Sequence, residues 1–230
     1  MMTLQEAIQA RHSVRYYKEQ PLSDDHARQL QDMIAGLNRE GQLHIQLIQN
    51  EPKAFLGPLA RYGKFRGVTN YLVMAGVKAG DLDYRIGYYG EQLVLFAQTI
   101  GLNTCWVGLS YTKVPGTYVL NKGEVIKAYI SIGYGETQGV SHKVKRIDQV
   151  SNVDGNSPEW FRRGVEAALL APTAINQQKF SLELQPTDPG QLPRVLAKRH
   201  FSIVGYTHMD LGIVKYHFEV AAGTDNFQWA

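Results

Sequence analysis

Cysteine is nearly absent. Cys105 is the single example in 230 residues, so an intrachain disulfide and a cysteine-rich zinc site are both excluded, and a reducing compartment is expected. No run approaches about 18 consecutive apolar residues, which leaves no candidate for a membrane-spanning helix. The N-terminus has no basic stretch followed by an apolar one, as a secretory signal would require, and a cytoplasmic location is the default expectation. An excess of one charge is missing too: 24 Lys and Arg against 21 Asp and Glu leave a formal net charge of +3. The one tight basic group is Lys143-Val144-Lys145-Arg146. A nucleic-acid binder would concentrate its basic residues on one face, whereas this balance suits a small anionic ligand. There is also no Ser-His-Asp set and no H-E-x-x-H motif, and His44, His208 and His217 lack a metal-ligand spacing.

What is present describes an ordinary globular protein, with 44% hydrophobic and 20% charged residues. The length allows one large domain or two small ones. Thr3 and Glu6 form a capping-box signal for a helix that ends near Arg11. Ser23 caps a second helix, with Ala27, Leu30, Ile34 and Leu37 at helical spacing and Gly36 and Gly41 towards its end. Residues 43–48 alternate as a half-buried strand, 51–70 read as an irregular crossover, and 71–77 as a buried strand. The longest helical signal, from about 82 to Ile100, is apolar nearly all round, which points to a buried core helix stopped by Gly101. Asn103–Val107 reads as a short strand or extended loop, Val125–Ile132 as a strand, and 111–120 as a helix interrupted by Pro115.

Ser151–Asn156 is polar and rich in turn formers, the best linker in the chain. Beyond it, Ser157-Pro158 is the start signal for a helix that ends at Ala171-Pro172, and 180–184 alternates as a strand. Asp188-Pro189 is expected to open a short helix. Thr207 and Asp210 predict a capped final helix closed by Gly223. The two sides of the linker are loosely alike: shifting the central helix onto the last one places Gly90 on Gly212, Phe96 on Phe218 and Gly101 on Gly223, with Trp106 near Trp229. The similarity fits either chance or an unequal tandem duplication.

Arg11-His12-Ser13-Val14-Arg15 delivers two guanidinium groups and a hydroxyl to one spot at the end of the first helix. Arginine's planar fork matches phosphate oxygens. Taken alone, the pentapeptide reads either as a phosphate site or as two arginines paired with surface carboxylates. Three further stretches change its weight: Gly101-Leu102-Asn103-Thr104-Cys105-Trp106-Val107-Gly108, Gly133-Tyr134 followed by Lys143, Lys145 and Arg146, and Ala171-Pro172-Thr173-Ala174-Ile175-Asn176-Gln177-Gln178. Together with the pentapeptide they resemble the FMN-dependent nitroreductase family over most of the chain. In that family the proline-containing segment ordinarily lies early, between the arginine motif and the central helix. Here it follows the linker. The displaced order, with the internal similarity, resembles a single-chain, pseudo-dimeric branch.

The resemblance implies an α+β fold, an antiparallel or mixed sheet flanked by helices, with two tandem repeats forming an intrachain pseudo-dimer. Residues 1–150 would carry the phosphate side of an FMN site and 151–230 would complete it, with one FMN per chain. It implies that Arg11, Ser13 and Arg15 grip the phosphate, with His12 between them and Lys143 or Arg146 adding charge. Asn176 and Gln178 would bond the ribityl chain or ring edge, Pro172 and Thr173 would pack on the ring, and Thr104, Cys105, Trp106, Val107 and Gly108 would approach the flavin. No side chain acts as a catalytic nucleophile, because the flavin carries the hydride. The implied activity passes electrons from NAD(P)H through FMN to a nitroaromatic, quinone or similar small acceptor. The alternative is a non-catalytic flavin-binding or flavin-handling protein. Neither reading involves a metal, nucleic acid or a membrane, and the chain would be a monomeric pseudo-dimer or a homo-oligomer. On their residue types alone, Cys105 reads as a small buried residue rather than a nucleophile, Trp106 equally as a core anchor, Asn176 also as a turn cap, and Lys143 to Arg146 also as a solvated face.

Overall fold

The computed structural model describes residues 2–186, 188 and 190–230. Thr3 opens α1 (Leu4–Ala10) as expected: its hydroxyl accepts the Glu6 amide while the Glu6 carboxylate takes the Thr3 N–H. Ser23 caps α2 (Asp24–Gly41), which buries Leu30, Ile34 and Leu37, runs through Gly36 and stops where Gln42 turns left-handed at φ 48°. β1 (Gln46–Ile48) is shorter than its alternation predicts, because the Asn38 side chain takes both backbone groups of Ile45, at 3.0 and 2.7 Å. The crossover after it contains a 3-10 turn at Lys53–Phe55 and one short α-helix, α3 (Pro58–Tyr62), before β2 (Tyr71–Val77).

α4 (Leu82–Thr99), β3 (Asn103–Val107) and β4 (Glu124–Gly133) fall where periodicity places them. The helix expected over 111–120 does not form. Pro115 has no N–H to donate, Gly116 turns to φ 84°, and Tyr111 instead stacks on Tyr129 with ring centres 3.9 Å apart. The first sheet has the order β1-β2-β4-β3, every neighbouring pair antiparallel.

After the linker come α5 (Glu159–Leu169), β5 (Phe180–Leu184), β6 (Arg194–Arg199), α6 (Thr207–Ala222) and β7 (Gln228–Trp229). Ser157 does not cap α5; its hydroxyl donates to Asp154 at 2.8 Å. The helix expected from Asp188-Pro189 begins on a residue, Pro189, outside the described ones, and the chain beyond it leads into strand β6 rather than a helix. Nor does Thr207 cap α6. Tyr206, left-handed at φ 61°, holds the cap position, and Asp210 turns away to another loop. The second sheet has the order β5-β6-β7, with β6 and β7 parallel.

α4 and α6 cross at a distance that only glycine permits. A Cβ on Gly87 would lie 2.0 Å from the Met209 carbonyl oxygen, and one on Gly212 2.3 Å from that of Tyr84. The crossing brings the two halves into one core that includes Leu30, Leu72, Leu93, Phe161 and Phe218. The opposite face of the first sheet packs Phe55, Phe65, Tyr71 and Tyr129 beneath the 51–70 crossover. The architecture is α+β. Among the described residues, no helix is long and apolar enough to cross a membrane.

Candidate functional site

Extended backbone carries the first motif from the end of α1 to the sheet. Ser13 forms a parallel bridge with Thr104, and the Val14 N–H donates to Thr104 O at 3.0 Å. Successive side chains of extended backbone point to opposite sides. Ser13 and Arg15 therefore line a cleft of about 880 Å³ while Val14, 1% exposed, is buried behind them. Arg11 lines the same cleft, and so do Trp106, Val107 and Gly108 at the end of β3.

The third motif arrives by way of the end of α5. The last carbonyls of a helix lack intrahelical donors. Here Arg11 donates to Leu170 O at 3.2 Å, His142 Nε2 to Leu169 O at 3.1 Å, and His217 Nδ1 to Ala167 O at 3.1 Å. These bonds draw the cationic end of the first motif to the point where Ala171-Pro172 leaves α5. Pro172, Thr173 and Asn176 then line the same cleft as the arginines.

Behind this wall lies a buried polar network. Glu91 on α4 is fully buried. One of its carboxylate oxygens accepts the Trp106 indole N–H at 2.7 Å, and the other meets His217 Nε2 at 2.8 Å and lies 3.9 Å from Arg11 Nε. Arg11 is 3% exposed, and its Nε has no hydrogen-bond partner within the chain. Burial pulls its guanidinium below the usual value, opposed by the charge of Glu91. The guanidinium thus borders the cleft with Glu91 behind it and one donor, Nε, unpaired within the chain.

The remaining expected site residues are placed differently. His12 is not among the residues that line the cleft, and burial followed by the neighbouring Arg11 charge lowers its imidazole. Thr104 and Cys105 are buried in β3, where burial raises the Cys105 thiol. Lys143 is exposed and contributes its backbone carbonyl, which accepts both the Asn176 and Gln178 amides at 2.8 Å. Arg146 lies outside the cleft lining, paired with Asp148 at 3.0 and 2.9 Å. Gln178 is buried, and its side chain joins the 143–145 strand of loop to the 173–178 turn instead of lining the cleft.

Sequence reasoning missed Lys64, Phe65, His142, Tyr206 and Asp210, all of which line the cleft. Asp210 is the most informative of them. Its carboxylate accepts the Ala174 N–H at 3.0 Å and the Gln177 amide at 2.6 Å, and burial raises its carboxyl to about 6. Its position beside Thr207 gave a local capping signal that hid this tertiary role. Among the described residues, no group of three or more His, Cys, Asp or Glu could hold a metal ion.

The family model described as "Putative TM nitroreductase" matches residues 3–222. Among solved structures, a "putative nitroreductase" from Thermotoga maritima aligns at 22% identity with a TM-score of 0.68, over 96% of this chain and 83% of that one. A "putative nitroreductase" from Desulfovibrio desulfuricans, solved in complex with FMN, aligns at 18% identity with a TM-score of 0.51, over 67% of this chain and 98% of that one. No curated protein matches the chain. These alignments share its fold, and the family match runs from α1 through α6, ending before β7. The chain belongs to the family described as "Putative TM nitroreductase".

Proposed function

We propose that the cleft binds one FMN per chain and that the protein is an FMN-dependent oxidoreductase, with NAD(P)H as donor and a nitroaromatic, quinone or similar acceptor. The observation that carries this reading is Arg11: a buried guanidinium with an unpartnered Nε, in the wall of a cleft that Ser13 and Arg15 also line. Those donors fit a phosphate monoester. The cleft volume of about 880 Å³ is ample for a cofactor. The complex with FMN of the Desulfovibrio desulfuricans relative supports the same assignment.

When bound, the flavin supplies a carrier for two electrons. The overall exchange for a quinone acceptor consumes NAD(P)H and one proton and yields NAD(P)⁺ and the hydroquinone. The chain's own part is to bind and orient. Arg11, Ser13 and Arg15 hold the phosphate side, and Glu91 fixes Trp106 and opposes the buried charge of Arg11. Pro172, Thr173 and Asn176 form the wall that would pack against the ring of the cofactor, with Trp106, Val107 and Gly108 lining the same cleft. Gln178 and Lys143 act on the shape of that wall.

The same reading divides the chain into repeats at 1–150 and 151–230. β5 and β6 pair antiparallel as β1 and β2 do. β2 and β3 both run antiparallel to β4 and so are parallel to each other, as β6 and β7 are. A second repeat without a counterpart of β4 accounts for both sheets. The contact of Gly87 with Met209 joins positions related by the offset that brings Gly90 onto Gly212. The phosphate half of the site would then come from one repeat and the opposing wall from the other.

A visible absorbance titration of the purified protein with FMN tests the assignment. One FMN per chain, followed by NAD(P)H oxidation with an added acceptor, is the expected result. Flavin bound without turnover would assign the flavin-handling role, two FMN per chain would overturn the single shared site, and no uptake would overturn both.

A further inference from the structure

Ile175 is held in a conformation that its side chain resists. It lies at φ 47° and ψ 24°, the left-handed region, where a β-branched residue is an outlier. Asn176 and Gln178 follow at φ 57° and 45°. The Ile175 side chain is also 79% exposed, so burial of apolar surface does not offset the strain.

The conformation is held from outside. Asp210 accepts from Ala174 and Gln177, Gln177 also donates to Gly205 O at 3.0 Å, and Thr173 Oγ1 accepts the Gln178 N–H at 3.1 Å. The Gln178 amide adds bonds to Lys143 O and Asn176 Oδ1, each 2.8 Å, and accepts the Lys145 N–H at 2.9 Å. Strain that its surroundings over-determine in this way is characteristic of functional positions.

Ile175 has apolar company. Leu59, Tyr62, Leu109, Val140 and Val204 line the same cleft and are 55%, 88%, 73%, 84% and 42% exposed. Scattered exposed apolar residues are normal, but their convergence on one opening marks a binding surface. An apolar ring placed among them would remove its own apolar surface and theirs from water.

We propose that Ile175 is a specificity-determining residue, which with these side chains receives the uncharged apolar ring of the electron acceptor at the mouth of the cleft. The inference rests on the oxidoreductase reading.

The test compares Ile175→Leu and Ile175→Asn with the wild type, using 1,4-naphthoquinone as the apolar probe and ferricyanide as a small anionic acceptor. Both substitutions remove the β-branch, and Asn tolerates the left-handed region. The melting temperature of Ile175→Asn is expected to rise by about 2–4 °C. Its affinity for naphthoquinone, measured by equilibrium dialysis without NAD(P)H, should fall about tenfold, while Ile175→Leu retains it. KM for naphthoquinone should follow the same order, and KM for ferricyanide should stay unchanged in both variants. Equal naphthoquinone binding by Ile175→Asn and wild type would overturn the proposal, as would equal loss in both variants. The dialysis is run on the protein as purified, with and without added FMN. Absence of flavin uptake would overturn the cofactor reading, while the dependence of ring binding on residue 175 is decided separately.

Discussion

Glu91 and His217 meet at 2.8 Å with neither side chain exposed, one on α4 and the other on α6. His217 Nδ1 faces the Ala167 carbonyl oxygen at 3.1 Å. Both ring nitrogens therefore face oxygen atoms on other elements of the chain. The pair joins the two halves of the chain at the back of the cleft.

Removing one member leaves the other buried without its partner. Glu91→Ala and His217→Ala are each expected to destabilise the fold by about 3–5 kcal/mol, measured by urea denaturation. Glu91→Ala should be the more damaging, because Trp106 and Arg11 lose their carboxylate as well. A cost below about 1 kcal/mol for either would show that the pair carries no structural load.

The helix crossing makes a paired prediction. Gly87→Ala and Gly212→Ala drive a methyl into backbone at 2.0 and 2.3 Å, so each should cost at least about 1–3 kcal/mol. Gly36 lies inside α2 with nothing within 4 Å of a Cβ. Gly36→Ala should stabilise by about 0.5–1 kcal/mol through backbone entropy and helix propensity. The same denaturation series reads all three, and equal effects would contradict the crossing geometry.

Elements decided by local pattern were legible in the sequence. Thr3 and Glu6 announce α1, and the all-round apolar character of α4 announces a buried helix. β6 was not legible: in Arg194–Arg199 only Val195 is fully buried, and the strand exists through its pairing with β5. The 111–120 segment was misjudged because Tyr111 finds a stacking partner remote in sequence. At the site, Arg11, Ser13, Arg15, Trp106 and Pro172 were identifiable from motifs. Glu91, His217 and Asp210 were not, since each sits in a helix where its neighbours explain it locally and its real partners belong to other elements.

The two arginines should separate binding from stability. Arg15 is exposed, so Arg15→Ala should weaken FMN binding while changing stability by no more than about 0.5 kcal/mol. Arg11→Ala should weaken FMN binding and also destabilise the fold, because it removes the bond to Leu170 O and the cation beside Glu91. Flavin fluorescence titration and urea denaturation check the two effects. Unchanged FMN affinity in both variants would remove the phosphate assignment.

Asp210 gives a pH dependence of definite sign. Burial raises its carboxyl to about 6 from an ordinary 3.8, so between those values the folded chain holds a proton that the unfolded chain has released. Stability from this residue is therefore greatest at about pH 4 and is lost as pH rises through about 6. The gap of about two pH units, at about 1.4 kcal/mol each, limits the change to about 3 kcal/mol. Asp210→Asn cannot titrate, and its amide can accept only one of the two donors from Ala174 and Gln177. The unfolding free energy of the wild type minus that of Asp210→Asn should fall from pH 4 to pH 7 and level off above. Urea denaturation at fixed ionic strength across that range measures the difference. A flat difference would mean that the carboxylate is solvated in the folded protein, and a rising one that its two donors outweigh burial.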